Sequence, residues 1–142
     1  MPEQWESTTA GRHLSGRRAT DTAPELALRL ALHASGNRFR LHQTLAAGCT
    51  PDIVLRRRRI VVFVDGCFWH GCPEHGRVTP WTGPNAELWA AKMARNRRRD
   101  ERASALARSL GWHVVRIWEH EIMADPNAAA RTVLAIRPEG DE

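Results

Sequence analysis

Apolar and polar positions along the 142-residue chain fall into helical stretches and alternating stretches. Thr22-Ala23-Pro24-Glu25 has the spacing of a capping box, with proline inside the first turn, and Leu26 to Ala34 continues the helix it opens. Gly36 ends that helix. Phe39-Arg40-Leu41-His42 alternates and predicts a first strand. Asp52-Ile53-Val54-Leu55 predicts a second, and Ile60 to Val64 a third that is apolar enough to be central. The charged turn Arg56 to Arg59 joins these two closely enough for an antiparallel hairpin. Residues 66 to 85 are punctuated by Gly66, Gly71, Pro73, Gly76, Pro80, Gly83 and Pro84, which predicts a loop. A long helix then runs from an N-cap at Asn85 to about Leu110, with Gly111 just past its end. Trp112 to Trp118 alternates as a fourth strand. Asp125-Pro126 opens a last helix that runs through Ile136.

The order is helix, three strands, helix, strand, helix. It predicts an α/β domain with a mixed sheet flanked by helices. Residues 1–20, rich in Ser, Thr, Gly and Arg, show no sustained period and are expected to form a flexible N-terminal arm. The expected domain, residues 21–138, is large enough for a real core, and a hydrophobic share of 42% agrees. No apolar run approaches a membrane span, and Met1-Pro2-Glu3-Gln4 has no signal-peptide pattern, so the expected setting is soluble and cytoplasmic.

Charge narrows the class of partner. The formal net charge is +5, and almost all of the 21 basic side chains are arginine. The planar guanidinium fork suits phosphate, so a basic domain of this kind is biased toward nucleic acid. Arginine-rich composition also arises from codon usage, so clustering decides. On the long helix, Arg95, Arg97, Arg98, Arg99 and Arg102 crowd together with only Asp100 and Glu101 against them. Within that cluster Trp89, Lys92, Asn96 and Asp100 recur at steps of three, four and four, on one helical face. Tryptophan, cation, amide and acid on one stripe are unusual for a core and point to a phosphate-facing surface.

The densest chemistry lies in Asp65-Gly66-Cys67-Phe68-Trp69-His70-Gly71-Cys72-Pro73-Glu74-His75. An odd cysteine count without an export signal argues against a disulfide framework. Thiolate and imidazole are preferred zinc ligands, and a structural site closes with four. Cys67, Cys72 and His75 supply three. His120 is the best fourth, with His113 the alternative. His70, between ligands, is left for a general base or a phosphate contact. Phe68 and Trp69 are core residues or wedges between bases. Pro51-Asp52 leading by a hairpin to Asp65 suggests a magnesium site of nuclease type. Asp65 before Gly66 is a turn residue or an added metal ligand. Glu25 is a helix cap on spacing alone.

Pro51-Asp52, the string Gly66-Cys67-Phe68-Trp69-His70, the Leu88-Trp89 to Asp100 stripe and Gly111-Trp112 to Trp118-Glu119 together resemble the Vsr-type DNA mismatch endonucleases of very-short-patch repair. The match runs from about Asp21 to Glu121. The resemblance implies a restriction-endonuclease-like fold, related to the PD-(D/E)xK enzymes, with a structural zinc. It implies magnesium-dependent nicking of one strand, 5′ of the T in a T:G mismatch left by deamination of 5-methylcytosine, giving 3′-hydroxyl and 5′-phosphate ends. Asp52 then matches the magnesium-binding aspartate, and His70 the histidine that activates water. Asp100 and Glu25 match nearby acids, and Phe68, Trp69 and Trp89 match the wedging aromatics. Val64 stands where a threonine offers its backbone carbonyl to magnesium, and Asp65 where a histidine stands. The zinc set Cys67, Cys72, His75 and His120 keeps four donors with identities permuted. Expected partners are double-stranded DNA with a T:G mismatch and mismatch-repair factors, with the protein a monomer. Two other readings compete: a zinc-stabilised DNA-binding protein without catalysis, and a related nuclease with another lesion preference.

Overall fold

The structure is a computed structural model, and it describes residues 21–67 and 83–136. The expected arm, and the expected roles of Phe68, Trp69, His70, Cys72 and His75, lie outside the described residues. The elements are α1 (Ala23–Ala34), β1 (Arg40–Leu41), β2 (Ile53–Leu55), β3 (Ile60–Asp65), α2 (Ala86–Ser109), β4 (His113–Trp118), α3 (Glu119–Ala124) and α4 (Pro126–Leu134). The four strands lie side by side in chain order. β1 and β2 pair antiparallel, β2 and β3 antiparallel, and β3 and β4 parallel. The expected mixed sheet flanked by helices is therefore present, and the predicted hairpin is the β2–β3 pair.

Strand alternation divides the core in two. Ile53, Leu55, Ile60, Val62, Val115 and Ile117 face one side, where they pack with Leu28 and Leu32 of α1, Ile122 of α3 and Val133 of α4. Val54, Val61 and Phe63 face the other side, against Cys49 and the small residues Ala103 and Ala107 of α2. β3 is buried on both faces, as an apolar run without alternation requires. Each aliphatic side chain fully buried here stabilises the fold by about 1.5–3 kcal/mol relative to exposure. Among the described residues, no helix is long and apolar enough to cross a membrane.

Several boundaries differ from the expected ones for local reasons. β1 keeps only two of four predicted residues, because His42 takes a left-handed φ of 46° that breaks the strand. β2 begins at Ile53, not Asp52. β3 runs one residue further than expected, so Asp65 is a paired strand residue opposite Trp118 and not a turn residue. Thr22 makes no side-chain cap. Glu25 instead accepts the backbone N–H of Asp21 at 2.8 Å, one residue earlier than a capping box would have it. Between β4 and the last helix stands α3, six residues that the sequence pattern did not predict. The last helix starts as expected, its Asp125 carboxylate accepting the Ala128 N–H, and ends at Leu134.

α2 runs antiparallel to β3. Its end sits beside the start of the strand, where Arg59 donates to the Leu110 carbonyl and its guanidinium lies 4.3 Å over the Trp112 ring. Arg116 ties the Asp100 carbonyl to Asp65 at the other end of β3. The ten helical steps from Leu110 back to Asp100, about 15 Å at 1.5 Å each, already span most of the six strand steps from Arg59 to Asp65, about 20 Å at 3.3 Å each. The first half of α2, which carries Trp89, Lys92 and Asn96, therefore extends past the end of the sheet where Asp52 and Asp65 stand.

Candidate metal and nucleic-acid site

Asp52 sits where the β2–β3 ladder ends. The register runs to Ile53 opposite Val62, and the Asp52 N–H also donates to the Val62 carbonyl at 3.0 Å. The Val64 N–H is taken by the Asp52 carboxylate, Oδ2, at 2.7 Å. Asp52 and the Val64 backbone thus meet past the last paired residues. A carboxylate beside a backbone carbonyl is oxygen chemistry of the kind a divalent cation takes.

The electrostatics agree. The Asp52 carboxyl is raised from 3.8 to about 6. Burial is the main cause; Glu25 and Asp65 add to it, while the Val64 N–H and His42 oppose it. A cation beside Asp52 would relieve both the desolvation and the repulsion.

Glu25 lies only 3% exposed beneath this site. Its carboxylate accepts from Arg29 Nη2 at 3.1 Å as well as from the Asp21 N–H. Asp21, Glu25 and His42 offer three donor atoms close enough for a metal. The Arg29 guanidinium already fills that position: it lies 2.8 Å from Asp21, 3.1 Å from Glu25 and 3.1 Å from His42 Nε2. That trio holds an arginine.

Asp65 is treated differently. Its carboxylate receives Arg116 Nη1 at 2.8 Å. Arg116 also donates to Ser104 Oγ at 2.7 Å and to the Asp100 carbonyl at 2.8 Å, and it lies 4.2 Å over the Phe63 ring. The Asp100 carboxylate is 3.9 Å from the same guanidinium. Asp65 and Asp100 are thus gathered around one arginine, adjacent to Asp52.

A cysteine–histidine pair lies two residues past the end of β3. Cys67 Sγ and His120 Nδ1 lie 3.2 Å apart, although 53 residues separate them in sequence. Glu119 Oε1 accepts the Cys67 N–H at 3.1 Å, which fixes the turn that presents the thiol. Zinc bonds of about 2.3 Å to sulfur and 2.0–2.1 Å to nitrogen bring both atoms within reach of one ion. His113, the alternative fourth ligand, pairs with Ile60 at the far end of the parallel strands and is not near Cys67.

The stripe on α2 faces inward. Trp89 is buried, and Lys92, Asn96 and Asp100 are half-buried on the side that further along carries Ala103, Ser104 and Ala107 into the core. The exposed cations of α2 are Arg97, Arg98, Arg99, Arg102 and Arg108. The site residues that sequence reasoning missed are His42, Arg29 and Arg116. A signal existed for Arg29, four residues after Glu25 on one helical face. His42 and Arg116 join the site only through strand order.

Comparison with known proteins follows the same lines. Residues 5–74 match the family described as DNA mismatch endonuclease Vsr. The chain is 43% identical over 122 residues to the type II nicking enzyme V.NaeI of Lentzea aerocolonigenes, a match covering 83% of this chain and 72% of that protein. It is 44% identical over 106 residues to the type II nicking enzyme V.XorIIP of Xanthomonas oryzae pv. oryzae, covering 74% and 75%. It is 31% identical over 119 residues to the DNA mismatch endonuclease Vsr of Escherichia coli K12, covering 84% and 74%.

Proposed function

This chain belongs to the Vsr family of DNA mismatch endonucleases, and we propose that it nicks one strand of duplex DNA 5′ of the T in a T:G mismatch, with magnesium held at Asp52. The nick would open repair of mismatches left by deamination of 5-methylcytosine. The observation that carries the reading is the Asp52 carboxylate, raised to about 6 among Glu25 and Asp65, and held on the Val64 N–H at 2.7 Å where the β2–β3 ladder ends. Asp52 and the Val64 carbonyl are the groups that would hold magnesium; Asp65 joins them only as far as Arg116 releases it. When bound, magnesium supplies a Lewis acid that lowers the pKa of water and stabilises charge on the phosphate oxygens. His70 is the proton acceptor for the attacking water. Glu25 shapes the field around Asp52, and Asp100 lies close by on the Arg116 guanidinium. Phe68, Trp69 and Trp89 open the duplex beside the mismatch, and Lys92 and Asn96 with the exposed arginines of α2 engage the strands.

The Cys67–His120 pair supports a structural zinc completed by Cys72 and His75. Such an ion would pin the turn after β3 to the start of α3, and so hold His70 and the aromatics in place. The protein is expected to act as a monomer in the cytoplasm and to hand its nicked product to repair enzymes.

A panel of matched and mismatched duplexes, incubated with magnesium and with chelator, tests this directly. The expected product is a single nick 5′ of the mismatched T, dependent on magnesium, from protein carrying one equivalent of zinc. Nicking of another mismatch instead would establish a different lesion preference. No strand break on any duplex would leave a zinc-stabilised DNA-binding protein.

A further inference from the structure

The group closest to Asp52 that the family motifs do not include is His42. Its Nδ1 lies 3.8 Å from Asp52 Oδ1, and its Nε2 lies 3.1 Å from Arg29 Nη2. A guanidinium has five N–H donors and no acceptor. In that contact Nε2 must therefore be the acceptor, which leaves the ring proton on Nδ1. Nδ1 is the nitrogen that faces Asp52. Arg29 is itself held by Asp21 and Glu25 at 2.8 and 3.1 Å, so the tautomer is set by a chain of contacts anchored in α1. The backbone is committed as well: His42 holds a φ of 46°, uncommon for a residue with a Cβ.

We infer that His42 is a positioning residue for Asp52, its Nδ1–H hydrogen-bonding Oδ1 while the Val64 N–H holds Oδ2, so that the carboxylate is clamped in the rotamer that presents it to a cation. At 3.8 Å the contact is longer than a hydrogen bond, and bonds of this kind tighten when a site is loaded. With both oxygens held from the protein side, Asp52 turns its remaining lone pairs outward. The inference rests on the reading of Asp52 as the cation-holding carboxylate.

Two substitutions suit the left-handed backbone and differ only in the donor. Asparagine tolerates that conformation and places Nδ2 where histidine has Nδ1; glycine tolerates it and places nothing there. His42→Asn is expected to stay within about threefold of the unsubstituted chain in magnesium affinity by calorimetry and in nicking rate. His42→Gly is expected to lose about 10- to 100-fold in both, the usual effect of removing a partner that orients a metal ligand, with its far-UV circular dichroism unchanged. Imidazole ¹⁵N chemical shifts of the metal-free chain should report the Nδ1–H tautomer, and Arg29→Met should shift it toward Nε2–H. A dominant Nε2–H tautomer, a His42→Gly chain that binds magnesium normally, or a His42→Asn chain no better than glycine would each overturn the assignment. Asp52→Asn separates the two layers. Normal magnesium binding in that variant sinks the site itself, whereas loss there with retention in His42→Gly sinks only the clamp.

Discussion

Asp52 and Asp65 stand at the same end of the sheet and meet opposite fates. Asp65, the last residue of β3, is 6% exposed and carries a guanidinium at 2.8 Å. Asp52, just ahead of β2, is raised to about 6, with burial and two other carboxylates outweighing a single N–H and the imidazole of His42. The fold neutralises one aspartate from within and leaves the other in a field that disfavours its ionised form. A carboxylate is a likelier metal ligand for being poorly compensated, since an ion then gains the relief of its desolvation and its repulsion. Number of acids near a site is thus a weaker guide than which of them already has a partner.

The strongest way to break this contrast is to remove each charge in turn. Asp52→Asn is expected to lower nicking of a T:G duplex by about 10³-fold or more, equivalent to about 4 kcal/mol of transition-state stabilisation. The amide still accepts from the Val64 N–H, so DNA binding by gel shift should change little and metal-free stability should not fall. Nicking at the normal rate would remove Asp52 from the mechanism. Asp65→Asn should do the reverse, costing stability and leaving a measurable nicking rate.

The size of that stability cost comes next. Asp65→Asn leaves Arg116 with a weaker partner, and Arg116→Met takes the 2.8 Å guanidinium from a nearly buried carboxylate. Removing one member of a partly buried, hydrogen-bonded pair is expected to cost about 2–3 kcal/mol. Arg116→Met is the larger of the two, because Ser104, the Asp100 carbonyl and the Phe63 ring lose the same guanidinium. The double variant should recover part of the loss, and urea unfolding of all four proteins gives the coupling. Strict additivity of the two single effects would mean that the pair holds nothing together.

The contrast also marks how far the chain could be read before its structure. β3 and α2 were legible, because a five-residue apolar run and a long helical stretch are local patterns. Asp52 stood out because Pro51-Asp52 leads by a hairpin to a second aspartate, and the structure sets its carboxylate on the Val64 N–H. Asp65 did not stand out, because aspartate before glycine looks like a turn until Arg116, 51 residues on, is seen to pair with it. His42 lies much nearer to Asp52 in sequence, but it enters only when β1 pairs with β2 and Arg29 of α1 meets its ring. The Cys67–His120 pair was found across 53 residues because ligand counting needs no geometry. α3 was missed, since six residues are too few to establish a period.

A smaller effect sharpens the comparison at Asp52 alone. Its folded pKa, about 6, lies above the unfolded value of about 3.9. The folded chain therefore binds more protons between those values than the unfolded chain does. This contribution to stability is fully present below about pH 4 and is lost as pH rises through 6. With the carboxylate still partly exposed, the loss is on the order of 2 kcal/mol. Other carboxylates titrate in the same window, so the informative quantity is the difference between the unsubstituted chain and Asp52→Asn, both metal-free, by urea unfolding at pH 4.5 and 7. The unsubstituted chain should lose more stability than the variant over that interval, and excess magnesium should erase the difference by binding the ionised form. In Asp65→Asn the effect should shrink, because Asp65 is one of the charges that raises Asp52. An identical pH dependence in all three chains would mean that Asp52 is solvated like any surface acid, and that the two aspartates do not differ in the way the fold suggests.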